Sequence, residues 1–588
     1  MEKRKSYLVN KAFYGILLAS LLTVAANQLG ATIDGMMLSY LVDEQAMSSV
    51  NICRPVMQLL FSLSMWIGAG SSMMVGMSIG NHHRDEANRI FTVVMMMVVI
   101  VGAVFLVLGL SWLQPLVNLL CADDGLKSVT TEFLDVTLYG ALFYMMSVVL
   151  EMFVAVDGNP KRVTIAVISC VITNLTLDYV FIKCFGWGVR GAATATVLSY
   201  LVSVIVLLPH FLKKDTLSLV FHSFIKYAGQ VLSSGLPFGL ATMLMAVQFW
   251  GNNTIAMSYL GEEGILALSV CIYLLGLSMI ILTGTLKAFQ PVASILKGAD
   301  DAQGVLMVIR KAYRFMLISL FIYIAPLILF SHGVAMLYGI SSPVCVDYVA
   351  KAIPPFTLNI IFQCLIYLLV PIYQLYENRT MATFISVGQS LAPMLGMWLL
   401  AEVAPEYVWW GFALGQIVIA LLLALFTTML RHRDHRLRPV ILIPRNDNLK
   451  GFETSVSANI QAMGETLEQV DAYLKTHLSD SSLISHIEVS SEELLKNIIT
   501  HGFKYTNNVK AKINRHYIDF RLTILPDHVK VVISDDAKAF NPVEYDKETG
   551  LGLLLVRGFC QNIKYDYLFH QNMTTVTYAI NMENAKQV

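Results

Sequence analysis

The chain has 588 residues, 56% of them hydrophobic and only 14% charged, with a mean hydropathy of +0.62. Soluble chains carry about a quarter charged residues, so a wholly soluble protein is excluded. Lys plus Arg and Asp plus Glu both number 41, a neutral balance that offers no bulk attraction for nucleic acid. The charges are unevenly spread. Residues 1–430 hold 22 basic and 22 acidic residues, while the 158 residues that follow hold 19 of each. The first part has a membrane composition and the second a soluble one. Cysteines at 53, 121, 170, 184, 271, 345, 364 and 560 form no CxxC pair and read as reduced, mostly buried thiols.

A membrane span needs about 20 mostly apolar residues. Twelve stretches meet this, near 12–40, 52–78, 91–112, 134–156, 163–183, 189–212, 232–260, 266–289, 313–331, 353–376, 382–402 and 407–430. Backbone polar groups in lipid must be satisfied internally, so all twelve are expected to be helices. The first is followed by further spans rather than by a cleavage site, so no cleavable signal peptide is expected. With the N-terminus inside, the inner segments carry 21 Lys and Arg and the outer loops carry five: Arg54, Lys127, Lys183, Arg190 and Lys351. By the positive-inside rule both termini are then cytoplasmic, in a multi-pass protein of the cell membrane.

The membrane part repeats itself. SYLVDEQAMSSVNI (39–52) echoes SYLGEEGILALSVCI (258–272), and GNHHRDEANRIF after span two echoes GADDAQGVLMVI after span eight. The offset is 218–220 residues, giving repeats of about 10–215 and 226–430. Six spans per repeat keep both copies in one orientation, related by an axis along the membrane normal, which suits alternating access about a central cavity.

Three carboxylates fall inside apolar spans: Asp34, Glu151 and Asp178. Each costs roughly 2.5 to 3.5 kcal/mol to insert charged, a cost relieved by a proton, a cation or a partner. Asn174 lies one helical turn before Asp178 on the same face. Together with Asp34 this pair offers neutral and titratable oxygens suited to a proton or a sodium ion; the bland alternative is hydrogen bonding between helices. At an offset of 219, Asp34 corresponds to Asn253, so coupling is expected to be asymmetric and to lie in the first repeat. Met-rich runs such as MMMVV (95–99) are expected to pack or face lipid.

TIDGMMLSYL in span one, DGNPK (157–161), NLTLDYVFIKCFGWGVRGAATAT (174–196) and KAFQPVASILKGA (287–299) resemble the MATE family of multidrug and toxic-compound exporters over about residues 10–430. The resemblance implies twelve helices in two lobes. It also implies export of small, mostly cationic or amphipathic compounds in exchange for H+ or Na+. It places the cation site on helices one and five, at Asp34, Asn174 and Asp178; Glu151 is a further candidate as a carboxylate within an apolar span. Leu296 departs from the Asn that many members carry after QP.

Residues 431–450 open with the basic run RHRDHRLR and read as a juxtamembrane linker that meets anionic lipid. A compact α/β domain is expected over 451–588. ETSVSANI reads as a strand, and DFRLTILPDHVKVVISDD as a hairpin turning at Pro526-Asp527. AMGETLEQVDAYLKTHL and SSEELLKNIITHG read as helices. On the second, Glu493, Asn497 and His501 fall four apart on one face, and the lone His501 is expected to pack. SDDAKAFNP (534–542) ends a strand on acids, and TGLGLLLVRGF (549–559) is a glycine turn entering an apolar helix, a setting that favours phosphates.

These three motifs, in this order, resemble the GHKL ATPase superfamily, nearest the anti-sigma-factor serine kinases, over about 450–583. The resemblance implies an α/β sandwich that binds ATP and Mg2+. Asn497 matches the magnesium-holding Asn, and Glu493 the acid that activates the attacking hydroxyl. Asp535 matches the Asp that accepts from the adenine amino group. Asp536 is the alternative, and Asp535 keeps the spacing to Phe540. Gly550 and Gly552 match the lid glycines, and Thr574 and Thr575 lie where the family places a hydroxyl near adenine. Ala537 stands where the family has Gly. No Walker A motif is present, so the domain is not a transport motor of the ABC kind. The retained Glu493 leaves room for serine-kinase activity on a protein partner.

The expected whole is an all-α twelve-helix membrane domain with a cytoplasmic ATP-binding domain of regulatory or kinase type. The alternative is a signalling protein whose membrane part senses a ligand and whose tail is the output.

Overall fold

The computed structural model of the chain describes residues 7–42, 44–120, 124–213, 216–220, 224–337, 343–435, 441, 450–503, 516–544 and 551–580. Gly550 and most of the 431–450 linker lie outside the described residues. The chain divides into two compact units. One comprises Ile16–Ile443; the other joins Met1–Gly15 to Pro444–Val588.

The larger unit is helical throughout. Eleven of its described helices are long and apolar enough to cross a membrane, and a twelfth span is the bent pair Leu126–Tyr139 and Ala141–Val156. The pair breaks by 53° at Gly140, where a Cβ would meet Val197 Cγ2 at 2.4 Å. Spans seven and eight run together from Phe224 to Gly298, interrupted only at Gly261, whose φ of 70° and ψ of −160° suit glycine alone.

The repeat seen in the sequence has a structural counterpart. The turns at His82 and Asp300, 218 residues apart, share a φ of 56°. Asn159 and Asn378, 219 apart, cap the next helices by accepting from Arg162 N and Met381 N. Spans two and eight meet on this pseudo-two-fold axis. A Cβ on Gly80 would stand 2.0 Å from Ile295 O, and one on Gly298 would stand 2.0 Å from Met77 O. These are the same contact seen from each side, because both pairs are related by the 218-residue offset. Glycine at such a crossing lets two backbones touch.

The smaller unit holds one antiparallel sheet in the order β1-β2-β3-β5-β4. The strands are β1 (Lys450–Ser457), β2 (Tyr517–Ile524), β3 (His528–Asp535), β4 (Asn562–Leu568) and β5 (Gln571–Ala579). β2 and β3 form the hairpin read from the sequence, with Ile524 opposite Val529 across the Pro526-Asp527 turn. Helices Ile460–His477, Ser481–Asn497 and Leu551–Phe559 cover one face. Val470, Ile487, Leu495 and Val556 pack there against Phe520, Val531, Ile533 and Val576 to form the core. Asn459 and Asp480 start the first two helices by accepting from backbone N–H groups.

Candidate functional site

The first repeat gathers its polar residues around spans one and five. The two helices run side by side: Thr164 Oγ1 donates to Ala19 O at 3.1 Å, and a Cβ on Gly30 would meet Val171 at 2.9 Å. Further along the two helices, Asp34 and Asp178 are neighbouring carboxylates. Asp178 is completely buried, and neither oxygen has a hydrogen bond of good geometry among the described residues. Asn174 Nδ2 donates to Thr196 Oγ1 at 3.4 Å. Directly after Asp178 the helix loosens into a π-turn, Tyr179–Cys184. Such turns concentrate at functional sites because they re-aim one side chain and free a carbonyl.

Polar contacts continue along spans four to six, with Cys170–Ser199 at 3.5 Å and Ser147–Ser203 at 2.7 Å. Glu151 faces a partner from the other repeat: Lys287 Nζ lies 3.2 Å from Glu151 Oε2. The second repeat lacks this chemistry. Asp178 corresponds to Met397 and Asn174 to Pro393 at the 219-residue offset, and Asn253, the counterpart of Asp34, is exposed. Where the repeats meet near Gly80 and Gly298 there is a cavity of about 510 Å³, bordered by Met73, Met74, Met77, Lys297, Tyr376 and Arg379. Its methionines come from span two rather than from the 95–99 run.

In the smaller unit Asn497 Nδ2 donates to Glu493 Oε1 at 3.0 Å, so the two residues form one polar face at the end of their helix. The α-helix stops at Asn497 and a π-turn, Ile498–Gly502, follows. His501 is exposed there, which corrects the expectation that it packs; the wider turn ends the four-residue register. Gly552 sits directly on Glu493: a Cβ there would stand 2.0 Å from Glu493 Cδ.

Asp535 closes β3 with its side chain on the helix-covered face. Ala537 N and Asn572 Nδ2 donate to its Oδ1, each at 2.8 Å, and Oδ2 has no hydrogen bond among the described residues. Burial pushes Asp535 up to about 6, against the pull of these two donors. Asp536 is differently held. Burial would raise it, but Lys11 at 2.6 Å and His516 at 3.3 Å outweigh that and keep it below the ordinary range.

Strand register separates the two threonines. Thr574 lies opposite Ile533 and shares the face of Asp535; Thr575 lies opposite Val532 and points to the other face. Side chains alternate along a strand, so only Thr574 can line a site built on Asp535. The structure also adds Asn572. It binds Asp535, and its Oδ1 accepts from Phe540 N at 3.2 Å and from Tyr565 Oη at 2.7 Å, which ties down the loop after β3. Its spacing of two before Thr574 was the signal for it in the sequence.

Comparisons with known proteins agree with both halves. The MatE model matches residues 19–180, and the model of the histidine kinase-like ATPase domain matches 456–579. The chain is a multi-pass membrane protein with a MatE domain in its first half and a histidine kinase-like ATPase domain at its C-terminal end. The multidrug export protein MepA of Staphylococcus saprophyticus is 22% identical over 270 residues, 45% of this chain and 60% of that protein. MepA of Staphylococcus aureus is 21% identical over 232 residues, 40% and 51% respectively. The matched stretch thus spans about half to three fifths of these curated relatives. Among solved structures, one described as MATE in the bent conformation superposes with a TM-score of 0.66 at 18% identity, covering 73% of this chain and 98% of that one. An outward-facing MATE family transporter of the MOP superfamily gives 0.64 at 20%, with 74% and 99% covered. These likenesses show the fold of the MATE part, and a domain of the histidine kinase-like family implies nucleotide binding.

Proposed function

We propose that the membrane unit exports small, cationic or amphipathic compounds by exchange with H+ or Na+ at Asp34, Asn174 and Asp178. The observation that carries this is Asp178, a completely buried carboxylate in a membrane span with a second carboxylate, Asp34, as its neighbour. A carboxylate so placed needs a proton or a cation. The asymmetry supports the assignment, since the second repeat offers Met397 and Pro393 in its place. MepA, by its name a multidrug export protein, points to the same class of substrate. Efflux from proteoliposomes under an imposed proton or sodium gradient tests the reading. Asp34→Asn is expected to abolish efflux and leave ATP binding intact; unimpaired efflux would sink it.

The smaller unit is assigned ATP and Mg2+. The residues fit: Asp535 offers the adenine amino group a carboxylate oxygen, and Thr574 adds a hydroxyl on the same face. Gly552 leaves a cradle beside Glu493 that a Cβ would fill. Asn497 would hold the magnesium, which supplies charge neutralisation at the phosphates when bound. Glu493 would take a proton from an attacking hydroxyl, which gives the domain a regulatory or serine-kinase role toward a protein partner. The excess of Lys and Arg in the inner segments supports a cytoplasmic side for both termini.

One observation favours a second reading, a sensor with a signalling output. Glu493 and Asn497 are both retained and in contact, more than a passive appendage requires. That reading expects Glu493→Ala to remove a regulatory phenotype and Asp34→Asn to leave it. Efflux by the wild-type protein that requires no ATP confines the tail to regulation or signalling.

A further inference from the structure

The opening helix begins at Tyr7, and its first turns belong to the same compact unit as the ATPase domain. Leu8, Val9, Ala12 and Phe13 are buried. On the polar side, Lys11 Nζ reaches Asp536 Oδ2 at 2.6 Å and Tyr7 Oη donates to the same oxygen at 3.1 Å. Gln571 Nε2 donates to Leu8 O at 2.7 Å, and the Tyr7 and Tyr517 rings lie 5.7 Å apart. The side chain of Asp536 is fully enclosed by these partners and by His516.

The placement of these contacts is informative. Asp536 follows Asp535, and Gln571 precedes Asn572. Asp535 and Asn572 are cross-strand partners joined by a 2.8 Å hydrogen bond. The N-terminal helix therefore grips the chain on both sides of the pair assigned to the adenine, without occupying either residue. A carboxylate as enclosed as Asp536 needs its cation, so moving Lys11 must move the β3 end.

We propose that Lys11, with Tyr7 and the Leu8 carbonyl, is a positioning group for the nucleotide site, so that ATP binding and the seating of the N-terminal helix are linked. This rests on the ATP assignment above. Linkage is reciprocal: if the seated helix favours the Asp535–Asn572 geometry that binds ATP, then ATP favours the seated helix. The helix continues to Leu41 and carries Asp34. The occupancy of the nucleotide site thus bears on the end of the very helix that supplies the proposed coupling carboxylate.

The test uses the full chain in nanodiscs, with ATP–Mg2+ as the probe. Lys11→Ala is expected to weaken ATP binding about tenfold, the scale of a lost hydrogen bond to a charged group, and Lys11→Arg to restore most of it. Gln571→Ala, which removes one hydrogen bond, is expected to weaken binding less. In the wild-type protein ATP should slow amide exchange over residues 7–15, and Asn497→Ala should erase that protection; a merely structural contact would not respond to ligand. Unchanged affinity in Lys11→Ala, or exchange over 7–15 that ignores ATP, overturns the proposal while leaving the ATP reading standing. If Lys11→Ala fails to fold, Gln571→Ala and the wild-type exchange measurement decide. Wild-type protein that binds no ATP overturns both.

Discussion

Asp535 carries a prediction that separates a nucleotide-reading carboxylate from a structural one. Burial raises it to about 6 from a reference of 3.8. An acceptor for the adenine amino group works best as the carboxylate, which makes up about nine tenths of the population at pH 7 and about one tenth at pH 5. ATP affinity is therefore expected to fall about tenfold across that interval. The phosphates of ATP titrate in the same region, so the control is Asp535→Asn. It should bind more weakly at pH 7 and lack the extra step, because the phosphate contribution is common to both proteins. The sign for stability runs the other way. A carboxylic acid raised on folding opposes folding above its folded pKa and is neutral in effect below about 4. The rise to about 6 corresponds to about 3 kcal/mol of destabilisation of the nucleotide-free domain at pH 7. Asp535→Asn keeps an acceptor for Ala537 N and Asn572, so it should melt higher than wild type at pH 7.5 and lose that advantage toward pH 4. Titration calorimetry at stepped pH and thermal melts with and without ATP make both measurements. Equal pH slopes for the two proteins, or a less stable Asn variant at pH 7.5, would refute the assignment.

Three further outcomes follow from close contacts. Gly552→Ala places a methyl 2.0 Å from Glu493 Cδ, the mobile end of a side chain; it should displace Glu493 and impair ATP turnover or phosphotransfer, while melting shifts by under about 1 kcal/mol. Gly80→Ala meets Ile295 O, a backbone atom, and should cost about 1 to 3 kcal/mol or force the C-terminal ends of spans two and eight apart. Because Gly298→Ala forces the same separation, the double variant should cost less than the sum of the singles, which melts and cysteine labelling at these helix ends would show. Lys287→Met strands Glu151 in the membrane and should lower stability by about 1 to 3 kcal/mol, the pair being only partly enclosed; adding Glu151→Gln should recover most of it, and a double variant as unstable as the single would dismiss the ion pair.

What could be read in advance depended on how local the physics was. Twelve spans and the repeat were legible because lipid imposes length and hydropathy on each helix separately, and the β2–β3 hairpin because alternation and Pro526-Asp527 are adjacent in sequence. The break at Gly140 was not legible, since a glycine in a span records no angle. Glu493 and Asn497 were legible from a four-residue period; His501 was not, because the π-turn that ends the period is set by tertiary packing. The choice of Thr574 over Thr575 needed the register of β5 against β3, which depends on strands forty residues apart. Lys11 was read only as one more inner charge, because its partner lies 525 positions away. The same division runs through the membrane unit. Its symmetric features, the caps at Asn159 and Asn378 and the Gly80–Gly298 contact, are those a repeat must keep for two lobes to close on one another. Its asymmetric features, Asp34, Asp178 and the Glu151–Lys287 pair, are those that no symmetry demands. The membrane unit thus repeats the contacts that join its two halves and keeps Asp34 and Asp178 in the first repeat alone, so Asp34→Asn is expected to remove efflux while the packing of spans two and eight stays as it is.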